Sequence, residues 1–180
     1  MNALRHLHDY LAARNVQHAL IGGRALAVRG HPRFTFDVDF LTVDTAVLKD
    51  SFWAGVREEG TSVDIRKGDF DDPLRGVVRI ALADGGMVDV VIAKYRWQSE
   101  VIKRAEPVDV GDATVPVPRA SDLILLKLFA GGHPDLSDVR SLLDTPERNN
   151  TAAAVREHLA ELPPECAAMF DEQLRQVVQP

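Results

Sequence analysis

Leu20-Ile21-Gly22-Gly23-Arg24-Ala25 and, a little further on, Phe36-Asp37-Val38-Asp39-Phe40-Leu41-Thr42 are the stretches on which the fold turns. His18 to Ile21 is a short apolar run entering a double-glycine turn, the pattern of a buried strand. Arg24 to Arg29 reads as a short helix stopped by Gly30. From Phe36 to Thr42 the side chains alternate. Phe36, Val38 and Phe40 lie on one side, Asp37, Asp39 and Leu41 on the other, as a strand of period two requires. Aspartate is depleted in strands, so two on one face need a reason. Placed roughly 7 Å apart along one face, they either meet solvent or share a divalent cation. Hard ions such as magnesium take carboxylate oxygens.

A third acid sharpens the choice. Met87-Val88-Asp89-Val90-Val91-Ile92 places Asp89 inside an apolar run that reads as a fully buried strand. If that strand lies beside residues 36–42, three carboxylates converge. Two such charges about 4 Å apart repel by about 4 kcal/mol at an effective dielectric near 20. A cation is then the natural counter-charge. Gly22-Gly23 offers the complementary half: a strand ending in glycine at a helix start exposes backbone N–H groups, and glycine lets a phosphate come close. A plain turn is the alternative reading.

Outward from this stretch, Leu4, Leu7 and Leu11 mark a first helix, with Asn2 as its N-cap. Asp44 caps a third helix carrying Leu48, Phe52 and Val56, ended by Gly60. Residues 62–66, 77–82 and 87–93 are strand candidates, the last two joined through Asp84-Gly85-Gly86, a hairpin signal. Trp97 to Arg104 reads as helix, and residues 107–110 and 114–117 as a hairpin around Gly111-Asp112. After Pro118 only helices follow: Ser121 capping 122–130, then 134–143, 151–162 and 165–178. The fold class expected is α/β (α+β), a mixed sheet flanked by helices. Residues 1–118 form its core, and residues 119–180 a C-terminal helical segment packed on it.

The chain has 180 residues and a formal net charge of −6. That balance argues against a broad surface for coating nucleic acid, though not against one nucleotide in one pocket. A polynucleotide would need a local patch such as Arg96, Lys103 and Arg104. Cys166, the single cysteine, excludes an internal disulfide and a thiolate cluster. No apolar run reaches the roughly 20 residues of a membrane helix, and the first residues read as no signal peptide. A soluble cytoplasmic protein is expected. The six histidines have no metal-ligand spacing and are expected at the surface.

Gly22-Gly23, Ala25, Gly30, Arg33, Thr35, Asp37-Val38-Asp39 and Asp89 together resemble the nucleotidyltransferase fold of DNA polymerase β type. The likeness is greatest to its minimal bacterial branch, which includes the AbiEii-type toxins. Ser121 to Lys127, followed by Asp135-Leu136-Ser137-Asp138, is similar to that family's helical block, a lysine and a downstream Asp-x-x-Asp. The resemblance covers about residues 16–143. It implies magnesium (or manganese) on Asp37, Asp39 and Asp89, and a nucleoside triphosphate whose phosphates lie on Gly22, Gly23 and Lys127. Arg33 and Thr35 would contact the nucleotide or brace their loop. The implied reaction moves a nucleoside monophosphate to an acceptor hydroxyl on RNA, a protein or a small molecule. A toxin–antitoxin or defence setting, with a cognate toxin or antitoxin partner, is implied too. The sequence departs from the family where Gly131-Gly132-His133-Pro134 replaces a cation before Asp135. The alternative is a non-catalytic antitoxin or partner-binding module of the same fold.

Overall fold

The computed structural model describes residues 3–32, 35, 37–57, 61–111 and 113–178. Helix α1 (Ala3–Ala12) leads into β1 (His18–Ile21), α2 (Gly22–Val28) and β2 (Val38–Thr42). Strands β3 (Ser62–Lys67), β4 (Leu74–Ala81) and β5 (Met87–Ala93) follow, then α3 (Arg96–Arg104) and a separate hairpin of β6 (Glu106–Asp109) and β7 (Thr114–Val117). Four helices end the chain: α4 (Ala120–Ala130), α5 (His133–Leu143), α6 (Arg148–His158) and α7 (Glu165–Val178). The main sheet is mixed, in the order β1-β2-β5-β4-β3, and only β2 and β5 run parallel.

One register row decides where the chemistry sits. Ile21 pairs with Asp39, Asp39 with Asp89, Asp89 with Arg79, and Arg79 with Asp64. One row across all five strands thus carries four charged residues on one face. The next row on that face, Leu41, Val91 and Val77, is apolar. The opposite face is core: Val38, Phe40, Val78, Ile80, Val88, Val90 and Ile92 are all buried.

Several sequence expectations change in the structure. Strand β2 begins at Val38, so Asp37 precedes the strand rather than sharing its face. Asp89 lies in a strand open on one side: Met87, Asp89 and Val91 are only half-buried, while Val88, Val90 and Ile92 are enclosed. The helix expected after Asp44 is instead two 3-10 turns, Thr45–Leu48 and Asp50–Trp53. Asp44 does cap the first, its carboxylate accepting from the Ala46 N–H at 2.8 Å. Lys49 between them is extended, and the Trp53 indole N–H takes the Val47 carbonyl at 2.7 Å, which a continuous α-helix would use itself. Helix α2 starts at Gly22, two residues earlier than read from sequence. Ser121 lies inside α4, whose N-cap position is Arg119. Asn2, Gly60 and Asp112 lie outside the described residues.

The last four helices bury Leu123, Ile124, Leu125 and Leu128 of α4 beneath Val139, Leu142, Leu143, Val155, Cys166 and Phe170. An ion pair ties α4 to the preceding part of the chain: Arg104 of α3 binds Asp122, 2% exposed, with Nη2 to Oδ1 at 2.6 Å. Arg29, just after α2, donates to the carbonyls of Val117 and Pro118, both at 2.8 Å, and pairs with Glu106 at 3.1 Å. These contacts tie α4 to α3, and the end of α2 to the β6–β7 hairpin. Among the described residues, no helix is long and apolar enough to cross a membrane.

Candidate nucleotide site

Gly22 is the hinge of the site. Its φ of +66° is the left-handed conformation that favours glycine. A Cβ there would also fall inside contact distance of the Asp39 carboxylate. The turn and the acid are therefore fitted to each other: Asp39 fills the space a side chain would need. Gly23 is buried in the first turn of α2. Ile21 at the N-cap offers no side-chain acceptor to that turn.

Asp37 is exposed and held through its backbone. Its N–H donates to the Thr35 hydroxyl at 3.2 Å, and Arg24 Nε donates to its carbonyl at 3.3 Å. Thr35 thus braces the loop, one of the two roles open to it. Arg33 lies outside the described residues.

Asp89 does not stand alone. Arg79 grips it with both edges of its guanidinium, Nε to Oδ1 at 2.9 Å and Nη2 to Oδ2 at 2.7 Å. This fork-on-fork geometry is the strong form of the Arg–carboxylate contact. The hydrogen bond to Asp89 and its charge, aided by Asp37 and Asp64, push Arg79 further above its already high value, so it stays cationic. Repulsion within the acidic row is thus met by an arginine of the chain. Among the described residues, no three acidic, histidine or cysteine side chains are grouped to hold one metal ion. Asp39 and Asp89 are neighbours in register, and Asp37 lies just before the strand. Their oxygen-only chemistry suits a hard divalent ion.

Sequence reasoning missed Arg79, although a signal existed. Arg79 and Asp89 interrupt two apolar runs at equal distances from Asp84, so a tight turn there sets them opposite each other.

On the other side of Asp39 a cleft of about 380 Å³ opens between sheet and helices. Gly22, Asp39, Leu41, Val91, Lys127 and Asp135 are among its walls. Lys127 is 14% exposed and reaches Asp135 at 2.7 Å and Asp138 at 2.9 Å. Burial opposes its charge, but the hydrogen bonds and charges of the two aspartates outweigh that and hold its pKa above the ordinary value. The structure thus gathers Gly22, Asp39 and Lys127 around one cleft, with Gly23 and Asp89 next to Gly22 and Asp39 in chain and register.

The histidine expectation fails at His18, which is 5% exposed. Its Nδ1 donates to the Val16 carbonyl at 2.7 Å, leaving Nε2 to accept from His8 Nδ1 at 2.8 Å. Of the basic residues considered for a polynucleotide, Arg104 is engaged by the buried Asp122, while Lys103 pairs with Glu100 at the surface.

No protein-family model matches the chain, and no curated protein is similar to it in sequence. Solved structures are similar in fold. The antibiotic-resistance factor ANT(2'')-Ia in solution superposes with a TM-score of 0.58 at 12% identity, covering 96% of each chain. A Thermotoga maritima protein assigned as a nucleotidyltransferase gives 0.55 at 17% identity over 88% of this chain and 91% of that one. The lincosamide antibiotic adenylyltransferase LnuA, lincomycin-bound, gives 0.50 at 13% identity over 77% and 93%. With its five-stranded mixed sheet, flanking helices and helical C-terminal segment, the chain has a nucleotidyltransferase-like fold.

Proposed function

We propose that this chain is a nucleotidyltransferase that moves a nucleoside monophosphate from a nucleoside triphosphate to an acceptor hydroxyl, with magnesium or manganese. The observation that carries the reading is the pairing of Asp39 with Asp89 in register, beside a glycine whose missing side chain makes room for Asp39. Asp37, Asp39 and Asp89 would hold the metal. When bound, the divalent ion supplies charge neutralisation to the triphosphate and lowers the pKa of the attacking hydroxyl. The chain does the rest. Gly22 and Gly23 let phosphate oxygens approach the backbone. Thr35 and Arg24 hold the Asp37 backbone in place. Lys127, kept charged by its two aspartates, presents a compact cation to a phosphate in the cleft. For Asp89 to take part in holding the ion, Arg79, now bound to both its oxygens, would have to let it go. Residues 1–118 would carry the carboxylates and residues 119–180 the lysine, so the boundary between them is the cleft.

A small-molecule acceptor is supported by two fold neighbours: ANT(2'')-Ia in complex with adenylyl-2''-tobramycin, and the lincomycin-bound adenylyltransferase LnuA. The AbiEii-type branch, a toxin–antitoxin or defence setting and a cognate partner rest on the sequence resemblance alone. The second reading, a non-catalytic partner module, is favoured by the engagement of Asp89 with Arg79.

Calorimetric titration with ATP and the other triphosphates tests the metal site. Binding should need magnesium or manganese and vanish in Asp39→Asn/Asp89→Asn. Binding without metal, or in that double variant, overturns the site. Metal-dependent binding with no pyrophosphate released in the presence of cellular small molecules, RNA or protein favours the partner module.

A further inference from the structure

A second cleft, of about 310 Å³, lies on the same sheet beyond Arg79. Its walls include Arg66, Lys67, Leu74, Val77 and Arg79, and it shares Pro73 and Leu74 with the first cleft. The register row orders the two. Asp39 borders the first cleft, Arg79 borders the second, and Asp89 stands between them. Two clefts on either side of one carboxylate suit two reactants that meet there.

The second cleft is built rather than incidental. Gly68 N–H donates to the Arg75 carbonyl at 2.9 Å, and a Cβ on Gly68 would overlap the Leu74 carbonyl oxygen. The loop from Asp69 to Asp72 closes on itself, Asp69 Oδ1 accepting from Asp71 N at 2.9 Å and Asp72 N at 3.2 Å. Lys94 pins it from below by donating to the carbonyls of Phe70 and Asp72. Of the charged residues on its walls, three are cations and one, Asp72, is an acid. The Asp72 carboxylate is turned into the loop, where it accepts from Asp69 N at 2.8 Å. Among the described residues Arg66 pairs with Asp64, and both are well exposed, a pairing that a ligand exchanges at little cost. Leu74, Val77 and Pro73 supply an apolar surface between the cations.

We propose that this second cleft binds the acceptor, a small molecule with an apolar body and an anionic group held by Arg66, Lys67 and Arg79. The proposal rests on the nucleotidyltransferase reading for the word acceptor, but its binding chemistry stands independently. It sets this chain apart from a protein whose acceptor is a polycation, because three cations on the walls repel such a ligand.

Naphthyl phosphate is a suitable probe and naphthol its neutral control. Amide shifts of the full chain are followed during titration with each. Naphthyl phosphate should saturate shifts at residues 66–79. It should bind roughly tenfold more weakly to Arg66→Gln/Lys67→Gln, which loses two charge-assisted contacts. Naphthol should bind at least that much more weakly to the wild type. Equal binding of naphthol, an unaffected double variant, or shifts centred on Gly22 and Lys127 would each overturn the proposal. So would a short RNA that shifts the same amides at lower concentration, which would make the acceptor a polynucleotide. A parallel titration with magnesium and ATP, followed at Gly22 and Gly23, separates the two claims. If it alone fails, the nucleotide reading falls and the anion cleft stands.

Discussion

Two arginine–aspartate pairs hold this molecule at different depths. Arg104 and Asp122 join α3 to α4, with the carboxylate almost wholly enclosed. Arg79 and Asp89 join β4 to β5, with the arginine half exposed and the carboxylate 18% exposed. The first is a closed pair. The second stands in a row with two further acids, Asp39 and Asp64, and also feels Asp37. Identical side chains therefore do different work. A closed, buried pair is a structural fastener, because breaking it strands a charge away from water. A pair at an open edge with acids in excess is exchangeable, because solvent or another cation compensates whichever partner lets go.

The largest effect should come from the closed pair. Arg104→Met leaves Asp122 buried without its partner and should cost about 3–5 kcal/mol, read by urea denaturation. A loss below about 1 kcal/mol would place this pair in the same class as an exposed one.

Gly22→Ala attacks the open site from its floor. An alanine in the left-handed conformation costs roughly 1–2 kcal/mol, and its Cβ would displace the Asp39 carboxylate. Moderate destabilisation with complete loss of metal-dependent triphosphate binding is expected. Retained binding would mean that the turn and Asp39 are not fitted to each other.

A pH series separates burial from ion pairing. Burial is the largest influence on His18 and lowers its pKa in the folded protein. The Val16 carbonyl opposes that shift, and His8 adds to it. The unfolded chain then takes up the proton first. The contribution to stability is complete above the unfolded value near 6.5 and is lost as pH falls toward the lower folded value, with a slope of at most about 1.4 kcal/mol per pH unit. His18→Asn should flatten the slope in urea denaturation between neutral and mildly acidic pH. An unchanged slope would assign the acid sensitivity to other groups.

The smallest change in stability is expected at Arg79→Met, under about 1 kcal/mol. The informative readout there is manganese binding by electron paramagnetic resonance. Freeing Asp89 should raise the affinity by roughly tenfold. Weaker manganese binding would show that Arg79 supports the metal site instead of competing with it.

Much of this arrangement can be read in the sequence because its signals are local. The double glycine after an apolar run marks the strand end and helix start, and Asp84-Gly85-Gly86 sets the register of the β4–β5 hairpin. Other features could not be read. Asp44 marks a cap correctly, yet the helix expected behind it gives way to two short turns, and the Trp53 indole, six residues on, takes the Val47 carbonyl. His18 looks like any polar residue at a strand start, and only the packing of α1 and Phe40 around it makes it buried. Lys127 follows an apolar run and reads equally as solvent-facing, until α5 folds back and brings Asp135 and Asp138 to it.

The sequence alone determined the pieces: a strand–glycine–helix unit, an Asp-x-Asp stretch, an acid inside an apolar strand and a helical end. Each follows from backbone sterics or side-chain period within a few residues. Only the tertiary structure decided that β2 lies beside β5, which are separated by two other strands in the chain. That non-local pairing brings Asp39 to Asp89 and, through the hairpin, sets Arg79 next to both. Residues 50 positions apart meet because burying the apolar face of the sheet fixes its strand order, and the charges on the other face are carried into place by it.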